Sequence, residues 1–160
     1  MRDDYSLTGI VSSGLGRAHI FMAQAHYQEQ FKQVLGVTAW PGTLNVTLEG
    51  DDLSRFVALR NLSGIETPDL SANVISSANE IDLDHIPSHR IEGFMRDGVS
   101  FGGATAFAAW LSTGNEKPFG CAILIPDLTR HTSVLEVICS RFLREKYDLE
   151  DGDAVTLVLA

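Results

Sequence analysis

Lysine is scarce in this chain: three lysines stand against nine arginines, and 21 acidic residues leave a formal net charge of −9. That balance argues against a nucleic-acid or membrane-surface partner. It does not forbid an anionic small molecule, because a local cluster of N–H groups, Arg and a cation overrides the global field. No stretch approaches the roughly 18 apolar residues of a membrane span. No apolar leader follows the polar, acidic start Met1-Arg2-Asp3-Asp4-Tyr5. A cytoplasmic protein without a membrane partner is therefore expected, and a monomer. There are two cysteines, Cys121 and Cys139, both in apolar surroundings. The cysteines lack C-x₂-C spacing, and His85 and His89, though separated by three residues, have no such cysteine pair to complete a site, so no zinc site is proposed. The two cysteines read as small buried hydrophobes in a reducing compartment. A Walker A loop is also missing, as is the protein-kinase glycine loop with its downstream motifs, so the standard ATP-site architectures are unsupported.

At 160 residues with 44% hydrophobic content, the chain reads as one domain with a real core. Leu7–Ser12 reads as a strand ended by Ser13-Gly14-Leu15-Gly16, and His19–Met22 as a short second one. From Ala25, the spacing of Tyr27, Phe31, Val34 and Leu35 predicts a helix with Gly36 as its C-cap. Further strands are expected at Thr43–Leu48, Ala104–Leu111, Phe119–Ile125, Val134–Ile138 and Ala154–Leu159, with a hairpin of Ile91–Met95 and Val99–Phe101 turning at Asp97-Gly98. Leu53–Arg60 reads as a short helix and Phe142–Tyr147 as a helical turn. Residues 61–89, rich in Ser, Asn, Asp, Pro and Ile, show weak periodicity and read as a long, partly mobile surface excursion. Many short strands with a few small helices suggest a compact β-barrel, though periodicity alone does not separate it from an α+β sandwich.

Several residues could carry chemistry. The loop Gly14-Leu15-Gly16-Arg17-Ala18-His19 follows a strand, as a phosphate-cradling loop would, and an ordinary glycine turn is the plainer reading. Thr43 and Asn45 lie two apart, so their oxygens share a strand face and suit Mg²⁺ that is also held by nucleotide phosphates. Glu136 interrupts Val134-Leu135-Val137-Ile138 and shares a face with Val134 and Ile138. A carboxylate half-buried among apolar groups can act as a general base, whereas an exposed Glu on an edge strand is equally open from the pattern. His131, as a lone histidine, is more often structural. Asp151-Gly152-Asp153 reads as a turn into the last strand.

The ordered set Ser13-Gly14-Leu15-Gly16, Tyr27, Gln30-Phe31, Leu35-Gly36, Pro41-Gly42-Thr43-Leu44-Asn45, Phe101-Gly102-Gly103, Thr129-Arg130-His131, Leu135-Glu136-Val137-Ile138, Leu143-Arg144 and Asp151-Gly152-Asp153 resembles the archaeal CTP-dependent riboflavin kinases. The resemblance covers roughly residues 8–50 and 90–158. It implies a mainly β fold, a six-stranded cradle-loop barrel with a few short helices. It implies transfer of the γ-phosphoryl of CTP to the 5′-hydroxyl of riboflavin, giving FMN and CDP. It further implies Mg²⁺ on Thr43 and Asn45, flavin contacts from Thr129 and Glu136, and CTP contacts from Arg141, Phe142, Leu143 and Arg144, with Glu136 the candidate catalytic residue. Where the family's glycine loop usually continues Glu-Gly, this chain has Arg17-Ala18, and residues 61–89 are longer than their counterpart.

Two rival readings use the same barrel. One is a non-catalytic flavin- or nucleotide-binding regulator; the other is a structural barrel that pairs with another protein. Some family members carry a DNA-binding helix-turn-helix domain, but here the first expected strand starts at Leu7, so none is expected, and the charge of −9 disfavours DNA. Thr43, Asn45 and Glu136 together favour the enzyme.

Overall fold

Alternation of apolar and polar residues along the strands builds a sheet that curls until its two edges meet. The computed structural model describes residues 5–14, 22–65, 70–81, 83, 86–114, 117–129 and 132–160. Along it run β1 (Ser6–Ser12), α1 (Ala25–Leu35), β2 (Leu44–Thr47), α2 (Gly50–Leu62), α3 (Ala72–Asn79), β3 (His89–Ile91), β4 (Phe94–Arg96) and β5 (Val99–Phe101). They are followed by β6 (Ala104–Ser112), β7 (Phe119–Pro126), β8 (Val134–Ile138), α4 (Leu143–Lys146) and β9 (Ala154–Leu159). The order β3-β6-β7-β8-β2-β1-β9, with β9 also pairing to β6, closes an antiparallel barrel of six strands and leaves β3 as an outer flange on β6. The six-stranded barrel expected from the sequence is thus observed. Closure removes the unpaired edges that a flat sheet of this kind would expose.

Inside the barrel lie Val11, Val46, Phe107, Ile123, Leu135, Val137 and Leu157, all essentially inaccessible to solvent. Burial of each such side chain stabilises the fold by about 1.5–3 kcal/mol relative to exposure. Cys121 and Cys139 are free thiols buried in this same cluster. Phe56, Val57 and Leu59 of α2 extend the cluster, and Asp51 and Asp52 in its first turn complement the helix dipole.

A second apolar cluster forms outside the barrel, where α1 lies over β3, β6 and β7. Tyr27 and Phe31 point down from α1, and the barrel answers with Ala104, Ala106 and Ala122. Gly36 ends α1 as expected, its N–H donating to the Lys32 carbonyl at 2.9 Å. The hairpin also forms, with Asp97 and Gly98 at φ of 51° and 78°. Positive φ at both central residues matches the right-handed twist of the flanking strands, and only Gly adopts it without steric cost. The first arm differs from the expected Ile91–Met95 strand: it breaks into β3, which joins the barrel, and β4, which pairs only with β5.

The described residues of the excursion at 61–89 hold more secondary structure than its composition suggests. It holds α3, whose start is capped by the Ser71 hydroxyl accepting from the Val74 N–H at 3.4 Å. Val74 and Ala78 pack one turn apart, and Leu70, Ile81, Leu83 and Ile86 join the barrel cluster. Eight residues offer too few apolar repeats for a periodic signal, and contact with α2 supplies what propensity does not. α2 itself extends beyond the expected Leu53–Arg60 at both ends.

Candidate active site

Antiparallel register decides which residues meet. Reading across the sheet, His89 pairs with Ala106, Ala106 with Leu124, Leu124 with Glu136, Glu136 with Asn45 and Asn45 with Ser12. Directly opposed residues project from the same face. Leu135 and Val137, flanking Glu136, point into the barrel, so this row lies on the outside. Ala106 and Leu124 make an apolar stretch on one side, Asn45 and Ser12 a polar one on the other, and Glu136 stands at the seam.

Over the apolar half opens a cleft of about 640 Å³, within the range of small-molecule sites. Its walls include Tyr27 and Phe31 from α1, Phe101 and Gly102 beside the hairpin, and Leu124 and Glu136 from the barrel. The Tyr27 hydroxyl donates to the Gly102 carbonyl at 2.6 Å, tying α1 to the hairpin. Phe94 stacks on Phe101 with ring centroids 4.6 Å apart and meets Tyr27 edge-on at 5.3 Å. Arg90 and Asp127 form an ion pair that fixes β3 against the turn carrying Leu128, a largely exposed residue at the cleft wall. Gly102, Gly103 and Ala104 line the cleft where larger residues would fill the space.

Burial pushes the Glu136 carboxyl up to about 7, with no hydrogen bond or charge among the described residues to offset it. A carboxyl in that range exchanges protons readily at neutral pH. The shift also has a consequence for stability. The folded value lies above the unfolded one, so the native state holds its proton more tightly. The protonated form's stability contribution is fully present below pH ~4.5 and is lost as pH rises through about 7. Glu136→Gln, which stays neutral, is therefore expected to be more stable than wild type at pH 8 by up to about 3 kcal/mol and no more stable at pH 4. Urea denaturation at the two pH values checks this, and an equal difference at both would show that the carboxyl is not desolvated.

Beside Glu136, the Thr43 hydroxyl donates to Asn45 Oδ1 at 3.1 Å, and Asn45 is 8% exposed. A β-carbon at position 14 would collide with Asn45 Nδ2, so only Gly lets the end of β1 come this close. Adjacent ligands in an octahedral Mg²⁺ shell with 2.1 Å bonds stand about 3.0 Å apart, so the two oxygens fit a shared edge of such a shell. No cluster of three His, Cys, Asp or Glu side chains suited to a metal occurs among the described residues.

Thr43 also lines a second, narrow cleft with Gly42, Arg141, Phe142, Leu143 and Arg144. Trp40 and Phe142 stack there with centroids 4.3 Å apart and planes 9° from parallel, each more than a third exposed. The structure thus brings Gly14, Thr43, Asn45, Glu136 and the 141–144 segment around one centre. Thr129 sits one residue past Leu128, its N–H donating to the Pro126 carbonyl at 3.2 Å. Leu15, Gly16, Arg17, Ala18 and His19, with Arg130 and His131, lie outside the described residues, as does all of the expected His19–Met22 strand except Met22. Sequence reasoning missed two features. Ala104, directly after Gly102-Gly103, was the visible sign of a cleft floor, and Trp40 was adjacent to a motif already singled out.

Comparison with known proteins fits this arrangement. A family model labelled CTP-dep_RFKase and described as "Domain of unknown function DUF120" matches residues 11–78 and 69–159. The two segments overlap inside the excursion that carries α3. Among curated proteins, the chain is similar to a riboflavin kinase of Thermoplasma acidophilum, 28% identical over 157 residues, covering 98% of this chain and 58% of that protein. It is 30% identical to a riboflavin kinase of Haloquadratum walsbyi over 154 residues, 96% of this chain and 56% of that one. It is 33% identical to one of Thermofilum pendens over 156 residues, 96% of this chain and 58% of that one. The chain therefore spans a little over half the length of these curated relatives. With a family model matched along nearly its whole length and the expected barrel in place, the chain belongs to the CTP-dependent riboflavin kinase family.

Proposed function

We propose that this domain is a riboflavin kinase that moves the γ-phosphoryl of CTP to the ribityl 5′-hydroxyl, giving FMN and CDP. The observation that carries the reading is the place of Glu136, a desolvated carboxyl between an apolar cleft of flavin-compatible size and the Thr43–Asn45 pair. The isoalloxazine ring occupies the cleft under Tyr27 and Phe31, with Thr129 near its rim. The ribityl chain then runs toward Glu136. The carboxylate accepts the 5′-hydroxyl proton as the O5′–Pγ bond forms and the bond from Pγ to the β-phosphate oxygen breaks, so CDP leaves with its pair of electrons.

The donor lies on the other side of Thr43. The 141–144 segment and the Trp40–Phe142 stack receive the base, and the loop of residues 14–19 receives the phosphates. Thr43 and Asn45 are the residues that would hold Mg²⁺, whose charge would neutralise the phosphate oxygens. Protein groups contribute mainly alignment, as is usual for phosphoryl transfer. CTP as donor is supported by the family label, and riboflavin as acceptor by the relatives' names.

Incubating the purified protein with riboflavin, Mg²⁺ and each of CTP, UTP, ATP and GTP, and scoring FMN, tests the reading. CTP is expected to give the highest kcat/KM. A site whose polar groups match cytosine leaves them unpaired against a purine, at about 1–3 kcal/mol each, so two mismatches amount to roughly 10²-fold or more. ATP equal to CTP would overturn the donor; no FMN with any nucleotide would overturn the kinase.

A further inference from the structure

One carboxylate outside the proposed chemistry joins two chain segments that the donor reading needs. Asp151 opens the turn before β9. Its Oδ2 accepts from the Ser13 hydroxyl at 2.6 Å, and its Oδ1 accepts from the Arg144 guanidinium at 2.6 Å. The same Arg144 nitrogen donates to the Ser12 carbonyl at 3.2 Å. The backbone is stitched at the same place: the Val11 N–H donates to the Asp153 carbonyl at 2.8 Å, and the Gly152 N–H to the Val11 carbonyl at 2.9 Å. The Ser13 hydroxyl and the Arg144 guanidinium hold the Asp151 carboxyl below the usual carboxylate range. Ser13 immediately precedes Gly14, and Arg144 lines the narrow cleft.

We propose that Asp151 is a positioning residue for the donor nucleotide, acting through Arg144 and the end of β1; the proposal rests on the donor site described above. The guanidinium carries five N–H donors. Both hydrogens of the engaged nitrogen are taken up, by Asp151 and by the Ser12 carbonyl. The remaining three donors, on Nε and the other terminal nitrogen, have no partner among the described residues. Anchored at one corner, the planar fork is held at the cleft with its other edge available to an anion or a base carbonyl, and it loses little rotamer freedom when the ligand arrives. The ion pair itself is exposed and adds little to stability, so its effect belongs to binding. Turn chemistry alone would require no carboxylate with two partners 138 and 7 residues away.

The test uses the whole chain and the variants Asp151→Ala, Asp151→Glu, Arg144→Ala and the double Asp151→Ala/Arg144→Ala. The readouts are steady-state kinetics for FMN formation and calorimetric titration with CDP and Mg²⁺. Asp151→Ala is expected to raise the KM for CTP and the Kd for CDP about tenfold, the scale of one charge-assisted hydrogen bond, with kcat and the riboflavin KM within about twofold of wild type. Asp151→Glu recovers part of the loss. The double variant is expected to match Arg144→Ala within about twofold, because a residue acting through Arg144 has nothing left to position. An unchanged Kd in Asp151→Ala overturns the proposal. So does a double variant whose loss is the product of the two single losses, or a fall in kcat together with a rise in both KM values and a lower Tm. If wild type binds CDP but forms no FMN, the kinase reading fails while the titrations still decide on Asp151. If wild type binds no CDP, both fail.

Discussion

Glu136→Gln is expected to lower kcat by about 10²–10⁴-fold while leaving the barrel folded, the range for removal of a positioned general base. Gln keeps the volume and a hydrogen-bond acceptor but cannot take the proton. In wild type, kcat is expected to rise with pH through about 7 and then level off, since the active form is the carboxylate and burial holds its proton until that range. In Glu136→Gln the residual rate is expected to be flat across the same interval. Steady-state kinetics from pH 5.5 to 8.5, on the order of three units around the expected midpoint, check both statements. If the residue only orients riboflavin, the loss appears in KM and the pH profile of kcat survives the substitution. An unchanged kcat/KM would remove Glu136 from the site. The gain in stability expected for the same variant above pH 7 is the other side of this arrangement. In the proposed reaction, the fold holds an ionised group where apolar surroundings disfavour it, a cost in stability set against catalysis.

The second large effect is expected at Asn45. Asn45→Ala removes Oδ1 and leaves the Thr43 hydroxyl without its acceptor, and kcat at a fixed Mg²⁺ concentration is expected to fall by about 10²–10³-fold, the scale for losing one preorganised electrostatic contact to the reacting groups. Thr43→Val keeps the shape, removes the other oxygen and is expected to act in the same direction. In both variants, raising Mg²⁺ should recover part of the rate, which a simple packing defect would not do. Circular dichroism and the urea midpoint check that the barrel is intact. Wild-type rates in both variants at every Mg²⁺ concentration would take the metal away from this pair. Asn45 is buried, so a loss of stability of about 1–3 kcal/mol accompanies the substitution, and rates are to be compared well below the unfolding temperature.

The strands were legible because they obey a period of two, whereas their closure into a barrel was implied by the family resemblance and not by the period. Val134–Ile138 alternates Leu135 and Val137 inward with Glu136 and Ile138 outward, and the structure keeps that alternation. Gly36 and the Asp97-Gly98 turn were legible because a backbone at positive φ is a local demand that few residues meet. α3 was not legible, since an eight-residue helix has hardly more than two turns in which to repeat an apolar position. The split of the expected Ile91–Met95 strand was not legible either, because partner choice for β3 and β4 depends on which sheet edge is within reach.

The site divides in the same way. Thr43 and Asn45 could be paired from their spacing, because two positions along one strand is a local relation. The placement of Glu136 beside Asn45, of Asn45 beside Ser12 and of Gly14 against the Asn45 amide is a matter of register between strands far apart in the chain. Asp151 shows the limit most clearly. As a local string, Asp151-Gly152-Asp153 describes a turn and nothing more, and the turn is there. Its two hydrogen-bond partners come from the residue after β1 and from α4, and closure of the barrel through β1, β9 and β6 is what carries the turn to them. Residue types and their local spacing therefore specified the strands, the turns and the chemistry on offer. Which oxygens, carboxylates and rings share a cleft followed from barrel closure, because contacts between distant segments have no signature in local spacing.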